Sequence, residues 1–416
     1  GYPLLRVTMS DGGGHTRVSI AQQRHFARGR PTGPGGAVAA ETRWPIPICL
    51  KFDAGRGREV RCELLDGAPS GEWDLPAAPC VRWLFPNAGQ GGFYRAALPQ
   101  PWLDALARHV GVDLSPEERI GLLDDQWALV ESGDATAPDF LALVAGYRDE
   151  RTRPVLEAIA GRLHGIRDRY VATDARERYQ RFVQRTLGPA FAELGWDPAP
   201  GEDEERKIAR DAVVGALGQV ARATDVLAEA SLRAAAYRAD PNSLDPTLAT
   251  TVVHLAAIHG DARLYDDYFA RMKRAKVPEE RDRFLYALAA FEDAALLART
   301  LEAALGADVR KQDVGRVIGA VIRNPAGRAR GWAFVRERFD SIHARASQRG
   351  MEGVIRALGA ICDAESRREV ADFFAAHPME ETRRALAETL EAIDLCIDVR
   401  AREEARIATW LAQERP

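Results

Sequence analysis

The chain has 416 residues, 46% of them hydrophobic, and its formal net charge is −4. A chain of this length can bury more than one hydrophobic core. Its 57 basic residues are interspersed with 61 acidic ones, so no long single-sign surface exists to bind nucleic acid. No run of about 18 apolar residues indicates a membrane span. We therefore expect a globular protein that binds neither nucleic acid nor membrane.

The cysteines bear on the cellular compartment. Five cysteines are widely spaced, with no Cys-x-x-Cys pair among them: Cys49, Cys62, Cys80, Cys362 and Cys396. An odd number without a pairing pattern predicts free thiols in a reducing compartment, and hence a cytoplasmic protein. The chain begins with Gly1 and not with methionine, so we expect a piece of a longer polypeptide.

The first part of the chain alternates apolar and polar residues with a period of two. Short runs such as "LLRVTM" and "WPIPICLKF" are separated by clusters of Gly, Pro and Asp. This pattern predicts an antiparallel β-sandwich of about six to eight short strands over residues 1–99. The segment 27–41 is rich in Gly and Pro, and we predict that it is a mobile loop.

The period changes to 3.6 after two closely spaced prolines near residue 100, where we place a domain boundary. In "SPEERIGLLDDQWALV", Ser115 is predicted to cap a helix with Pro116 in its first turn and Glu118 three residues after the cap. Around fifteen helices, joined by short turns and repeating as pairs, predict a HEAT-like or armadillo-like superhelical solenoid over residues 100–416. The expected fold class is therefore α+β multidomain.

Two motifs that could bind a phosphate or a metal have structural interpretations. The glycine-rich loop 87–92 lies between two strand patterns, whereas a phosphate loop requires a helix just after its glycines. We predict a hairpin turn there. His254 and His259 are five residues apart on a predicted helix, about 140° around its axis, whereas zinc-binding helices use a four-residue spacing. No metal site is predicted, and we expect one histidine near the core and the other near the turn.

No catalytic residue is predicted either. The sequence has no Gly-x-Ser-x-Gly elbow. Asp124 and Asp125 are adjacent on a predicted helix, which points their side chains about 100° apart and separates the two carboxylates. We interpret the pair as a polar edge beside a packed Trp127.

The stretch "VIRNPAGRARGW" contains the candidate binding residues. Asn324 precedes Pro325, and a proline disfavours helical geometry in the residue before it, so a helix is predicted to end there. Arg323 at that end either complements the helix dipole or faces a substrate, and both interpretations stay open. Arg328 and Arg330 are expected to be solvated.

A set of longer stretches carries a family resemblance. In chain order they are "VSIAQQRHF", "WPIPICL", "WLFPNAGQGGFYRAAL", "LSPEERIGLLDDQWALVESG", "VIRNPAGRARGWAFVRERFD" and "ARIATWLAQ". The chain resembles, over essentially its whole length, the C-terminal half of zinc aminopeptidases of the aminopeptidase N and endoplasmic-reticulum aminopeptidase type. This implies a β-sandwich that links a thermolysin-like catalytic domain to a bowl-shaped helical domain. The family's catalytic motifs, Gly-x-Met-Glu-Asn and His-Glu-x-x-His, are absent from these 416 residues.

The resemblance also implies a function. The chain would be the non-catalytic C-terminal region of a zinc metallo-aminopeptidase, inactive alone, that encloses the active site and helps to bind peptides and select them by length. Arg323 and Asn324 are implied as substrate-binding residues, because they match an Arg-Asn-Pro-x-Gly stretch of the relatives. The zinc and the catalytic domain, which is the chain's partner in the same polypeptide, would lie outside this sequence. The alternative is a free-standing helical-repeat scaffold that binds a protein partner through its concave face.

Overall fold

The computed structural model describes residues 1–12, 15–28, 42–55, 57–76 and 81–414. Cys80 and most of the predicted loop 27–41 therefore lie outside the described residues. Among the helices that are described, none is long and apolar enough to cross a membrane.

Within the described residues, seven strands form two sheets. They are β1 (Pro3–Gly12), β2 (His15–Arg24), β3 (Pro45–Asp53), β4 (Arg58–Asp66), β5 (Ser70–Pro76), β6 (Leu84–Phe85) and β7 (Arg95–Ala97). One sheet has the strand order β5-β2-β1-β7 and the other the order β4-β3-β6. Inward-facing residues of both sheets, among them Val18 and Ile48, meet in one buried cluster. The predicted β-sandwich is confirmed, because the two sheets share this apolar core.

One strand pairing and one turn differ from the prediction. β7 runs parallel to β1, whereas the other strand pairs described are antiparallel. β6 and β7 belong to different sheets, so the hairpin predicted at residues 87–92 is wrong, and this loop crosses between the sheets. Its turn does use a positive φ, 66° at Gly89. The Asn87 side chain closes the loop by donating to the carbonyl and accepting from the amide of Gly92, at 3.0 and 2.9 Å.

Eighteen α-helices follow in the described part of the chain. The first nine are α1 (Gln100–Ala107), α2 (Val110–Asp113), α3 (Pro116–Ser132), α4 (Ala137–Ala145), α5 (Arg153–Tyr170), α6 (Arg176–Leu194), α7 (Glu204–Gln219), α8 (Thr224–Ala239) and α9 (Pro246–Ile258). The others are α10 (Ala262–Arg274), α11 (Pro278–Ala287), α12 (Ala294–Leu305), α13 (Val314–Arg323), α14 (Arg328–Glu337), α15 (Phe339–Arg345), α16 (Gln348–Ala357), α17 (Ala364–Ala376) and α18 (Arg383–Gln413). The fold class, a β-sandwich followed by a helical region, is thereby confirmed.

The chain divides into two compact units, and the boundary between them does not coincide with the change from strands to helices. The first compact unit comprises Gly1–Arg162, Arg185–Glu193 and Arg402–Pro416, and the second comprises Leu163–Gln184 and Leu194–Ala401. The first unit thus includes the sandwich and the helices α1 to α4. Domain boundaries at residues 1–99 and 100–416 stay a prediction.

The second unit is built from helices that pack in two ways. Successive helices contact each other, α8 with α9, α10 with α11 and α12 with α13. The alternate helices α7, α9, α11 and α13 also contact one another in that order. Antiparallel neighbours make alternate helices run in the same direction, so the C-terminal ends of these four helices lie at one edge of their layer.

Glu118 connects the start of α3 to the sandwich within the first unit. Its amide donates to Ser115 Oγ at 3.3 Å, and its carboxylate accepts from the Ser115 amide at 2.8 Å, so the predicted capping box is confirmed. The same buried carboxylate accepts from Lys51 Nζ on β3 at 2.7 Å and from the Gly89 amide at 2.8 Å. The carboxylate of this one side chain thus bonds to the residue that caps α3, to a lysine of β3 and to the loop amide of Gly89.

Four of the five cysteines form disulfides, so the prediction of free thiols is wrong for them. Cys49 pairs with Cys62 across β3 and β4, and Cys362 pairs with Cys396 of α18. The partners are 13 and 34 residues apart in the sequence, and only strand pairing and helix packing bring them together. Spacing alone does not reveal such pairs, and the argument for a reducing compartment no longer applies.

We expect Glu118→Ala to lower the free energy of unfolding by about 3 kcal/mol, because it removes the cap of α3 and leaves Lys51 without its partner. Glu117→Ala is the matched control, since Glu117 is exposed in the same helical turn and its loss should cost about 0.5 kcal/mol or less. Urea denaturation of the isolated chain measures both values. Equal effects of the two substitutions would contradict the role given to Glu118.

Candidate functional site

A cavity of about 340 Å³ lies within the second unit. Its walls come from α5, α7, α9, α11 and α13 and from the turns that follow α7, α11 and α13. Most of these lining residues lie near the C-terminal ends of the helices. The last carbonyls of a helix have no partner within it and carry a partial negative charge. The cavity therefore forms where several such ends come together.

Arginines surround the cavity. Arg167 Nη1 donates to the carbonyl of Gln219, the last residue of α7, at 2.7 Å. Arg222 pairs with Glu292, and Arg316 lies 3.2 Å from an Asp313 oxygen. Each of these guanidinium groups thus has a partner of opposite charge or a helix carbonyl.

Arg323 is the exception. In the described part of the chain its guanidinium has no hydrogen bond or ion pair. The residue lines the cavity but is exposed, so water can solvate its charge, and partial desolvation lowers the pKa of the guanidinium. Four arginines and two carboxylates, Asp168 and Glu292, line the cavity, so positive charge exceeds negative by two at neutral pH. The cavity is therefore suited to an anionic group.

Two further polar atoms of the lining residues are buried and have no hydrogen-bond partner among the described residues. They are Arg222 Nη1 and the Tyr286 hydroxyl. Burial raises the pKa of Tyr286 to about 12, so its hydroxyl stays protonated and can donate. A buried polar group without a partner costs about 1–3 kcal/mol. Two such donors around one cavity indicate a place for a polar ligand.

Two histidines line the cavity with different roles. His164 Nε2 lies 3.2 Å from Asp168 Oδ2. Burial raises the pKa of Asp168, but the hydrogen bond and charge of His164 and the charge of Arg167 outweigh this, and the net pKa lies below its usual range. Burial, with the charges of His164 and Arg222, lowers the pKa of His254 to about 4. Asp168 is therefore ionised and His254 neutral at neutral pH.

The two histidines weighed as a metal pair are separate in the structure. His254 lines the cavity, whereas His259 is exposed just beyond the end of α9. Across the described ranges, no group of three or more His, Cys, Asp or Glu residues could hold a metal ion.

Asn324 is fully engaged in structural hydrogen bonds. Its Nδ2 donates to the carbonyls of Ala289 and Phe291 at 2.9 and 2.8 Å, and its Oδ1 accepts from the Ala326 amide at 3.0 Å. The side chain thus ties the end of α13 to the turn after α11. Both predicted substrate-binding residues line the cavity. The Asn324 amide is already hydrogen-bonded, so only the Arg323 side chain is available to a ligand.

The structure separates Asp124 from Asp125, as helix geometry predicts. Asp124 lies 3.3 Å from Arg162, whereas Asp125 is buried and accepts from Arg95 Nη1 and from the Ala96 amide, both at 3.1 Å. Burial raises the pKa of Asp125 to about 7, against the opposing effect of Arg95. The two carboxylates do not share a site, and the interpretation of the pair as a polar edge is wrong for Asp125, which is buried.

The expectation of solvated arginines holds for only one of the two residues. Arg330 is partly exposed and pairs with Glu337 at 3.1 Å. Arg328 is not simply solvated: its Nε is buried without a partner among the described residues, and burial lowers its pKa.

Sequence reasoning missed most of the cavity. Arg167, Arg222, Tyr286 and Arg316 are spread over 150 positions, and no motif joins them. The one usable signal is that several polar residues stand near the C-terminal ends of alternate predicted helices. Reading that signal requires knowing which helices are neighbours, which the structure supplies.

The fold is the arrangement that the resemblance implies, a β-sandwich followed by a helical region. The chain belongs to the family of ERAP1-like C-terminal domains, whose family profile matches residues 83–395. The resemblance to the C-terminal region of aminopeptidases is thereby confirmed.

Similar proteins carry aminopeptidase names. Aminopeptidase M1 of Arabidopsis thaliana is 24% identical over 95% of this chain and 46% of its own length. Alanine/arginine aminopeptidase of Saccharomyces cerevisiae is 24% identical over 99% of this chain and 47% of its own length. Glutamyl aminopeptidase of Bitis rhinoceros is 24% identical over 99% of this chain and 43% of its own length. The chain thus spans less than half the length of these curated relatives.

We expect Asn324→Ala to lower the free energy of unfolding by about 2–3 kcal/mol, because two buried carbonyls lose their donors. Arg323→Ala is the control in the adjacent position and should change stability by about 0.5 kcal/mol or less. Thermal and urea denaturation of the isolated chain measure both. An equal loss of stability with Arg323→Ala and Asn324→Ala would contradict the structural role given to Asn324 alone.

Proposed function

We propose that the chain is the non-catalytic C-terminal region of a zinc aminopeptidase and that its second unit binds peptide substrates. The observation that carries this proposal is the cavity with excess positive charge and unpartnered polar atoms in a member of the ERAP1-like C-terminal domain family. The aminopeptidase names of the relatives support the class of reaction. The catalytic zinc and general base belong to a part of the polypeptide outside this chain.

The helical part is proposed to wind as a HEAT-like superhelix that encloses the active site. The support is the packing of α7, α9, α11 and α13 in sequence order, since stacked helix pairs with a small rotation per pair produce a curved array with a concave face. A concave wall around an active site excludes folded proteins while admitting short chains. The length of a peptide then limits whether it reaches both the active site and the cavity.

The cavity is proposed to receive a carboxylate of the peptide. Guanidinium groups bind carboxylates through two parallel hydrogen bonds, and such charge-assisted bonds are stronger than neutral ones. Arg323 has no competing partner among the described residues, and Arg222 Nη1 and the Tyr286 hydroxyl are donors without acceptors there. A volume of about 340 Å³ is at the lower end of the range for small-ligand sites. It would hold the last one or two residues of a peptide or an acidic side chain.

The proposed carboxylate site would make peptide binding depend on length. A peptide held by a carboxylate in the cavity must still extend its amino terminus to the catalytic zinc. An extended chain spans at most about 3.5 Å per residue, so peptides below a minimum length cannot occupy both places. Short peptides would therefore lose the contribution of the cavity to binding.

We expect the isolated chain to bind a hexapeptide carboxylate about tenfold more tightly than the same hexapeptide amide, because one charge-assisted contact is worth about 1.4 kcal/mol or more. Arg323→Ala should remove the difference. Isothermal titration calorimetry at low ionic strength measures the affinities, and a third peptide, amidated but with a Glu side chain at its end, distinguishes the two sources of carboxylate.

Arg330→Ala is the matched control for charge, since Arg330 pairs with Glu337 and does not line the cavity. It should leave all three affinities unchanged. Equal binding of carboxylate and amide, or equal losses with Arg323→Ala and Arg330→Ala, would contradict the proposal. Binding of a folded protein with no binding of any peptide would favour the scaffold alternative.

A further inference from the structure

The disulfide Cys49–Cys62 lies in the middle of an edge strand. Cys49 of β3 stands directly opposite Cys62 of β4 in the antiparallel register. In the described sheet β4 pairs with β3 alone, because the strand order is β4-β3-β6. The disulfide is therefore the covalent tie between an edge strand and its one described partner.

The two disulfides of the chain differ in their access to solvent. Cys62 is exposed and Cys49 half-buried, and the flanking residues on the same face of β4, Val60 and Leu64, are each 59% exposed. Cys396 is only 1% exposed and Cys362 only 9%. A dissolved thiol can thus approach Cys49–Cys62 in the folded protein but not Cys362–Cys396.

We propose that Cys49–Cys62 is a site of thiol–disulfide exchange with a dithiol reductant, and that its redox state controls how firmly β4 is held. Exposed disulfides are the labile ones, because exchange requires a thiolate to approach a sulfur along the S–S axis. Nothing else in the local structure provides a covalent link between β4 and the sheet.

The exchange involves two steps. One thiolate of the dithiol attacks Sγ of the exposed Cys62, forms a mixed disulfide and expels the Cys49 thiolate. The second thiolate of the reductant then attacks its own sulfur in that mixed disulfide and expels the Cys62 thiolate. The dithiol is oxidised to its cyclic disulfide by two electrons, the protein cystine is reduced to two cysteines, and the two protons lost by the dithiol are available to the new thiolates.

Reduction leaves β4 with non-covalent contacts only. These include the backbone ladder with β3, the packing of Leu65 in the sandwich core, the Arg58–Asp113 ion pair at 3.1 Å and the hydrogen bond from Arg61 Nη1 to the Asp74 carbonyl at 2.7 Å. Edge strands open more readily than central ones when their ties are removed, because they are paired on one side. The β4 amides should then exchange faster while the helices are unaffected.

The first test uses the purified, oxidised chain. Thiols that are already free are blocked with N-ethylmaleimide. The chain is then treated with graded dithiothreitol under native conditions, and newly formed thiols are labelled with iodoacetamide and located by mass spectrometry. We expect Cys49 and Cys62 to be labelled at dithiol concentrations at least about tenfold below those required for Cys362 and Cys396.

The second test measures hydrogen exchange of Arg58–Asp66. We expect at least about tenfold faster exchange in the selectively reduced chain and in the double variant Cys49→Ser/Cys62→Ser. The variant Cys362→Ser/Cys396→Ser is the control and should leave exchange in β4 unchanged. Three results would overturn the proposal: blocking of Cys49 and Cys62 before any reductant is added, reduction of both pairs together only on unfolding, or unchanged β4 exchange after selective reduction.

Discussion

The side-chain amide of Asn324 is the interaction on which the candidate site depends. It joins the end of α13 to the turn after α11 through two donated hydrogen bonds and one accepted bond. A short neutral side chain with two donors and an acceptor is needed there, and an amide supplies all three. Because Arg323 is the preceding residue, fixing Asn324 also limits the region that the Arg323 guanidinium can reach. Asn324 thus has a structural role, and the binding role is proposed for Arg323 alone.

The electrostatics of the cavity follow from the direction of its helices. Parallel alternate helices bring their C-terminal ends together, and these ends attract cations. Arg167 binds such an end directly through the Gln219 carbonyl, and Glu292 and Asp168 offset part of the positive charge. The arginines nevertheless outnumber the carboxylates of the lining, and Arg222 and Tyr286 retain buried polar atoms without partners. Such groups are rare in native proteins and mark places where a ligand or water completes the hydrogen bonds.

Local features of the fold were predictable because local physics determines them. The alternation of period two, the change to 3.6 and the capping box at Ser115 each depend on residues a few positions apart, and each is confirmed. The predictions of a hairpin at 87–92 and of free thiols were wrong because each depends on which distant residues come into contact. Alternation identifies a strand but not the sheet that it joins. Cys49 and Cys62 were recognisable as a pair only after β3 and β4 had been aligned in register.

The candidate site was predictable only in part for the same reason. The Asn-Pro stretch predicted the end of α13, because a helix end has a sequence signature, but Arg323 and Asn324 were proposed as binding residues through the family resemblance. Arg167, Arg222 and Tyr286 have no common motif, and the stacking of alternate helices is what brings them together. The polar ends of those helices were visible in the sequence, but their convergence depends on tertiary packing.

The central claim is that this chain selects peptides while the chemistry takes place elsewhere in the same polypeptide. The most direct measurement compares kcat/KM of the complete polypeptide and its Arg323→Ala variant over peptides of increasing length. The account predicts a loss of about tenfold for peptides long enough to reach the cavity from the active site, and no loss for a single aminoacyl substrate. The same loss for every substrate, or no loss for any of them, would contradict it.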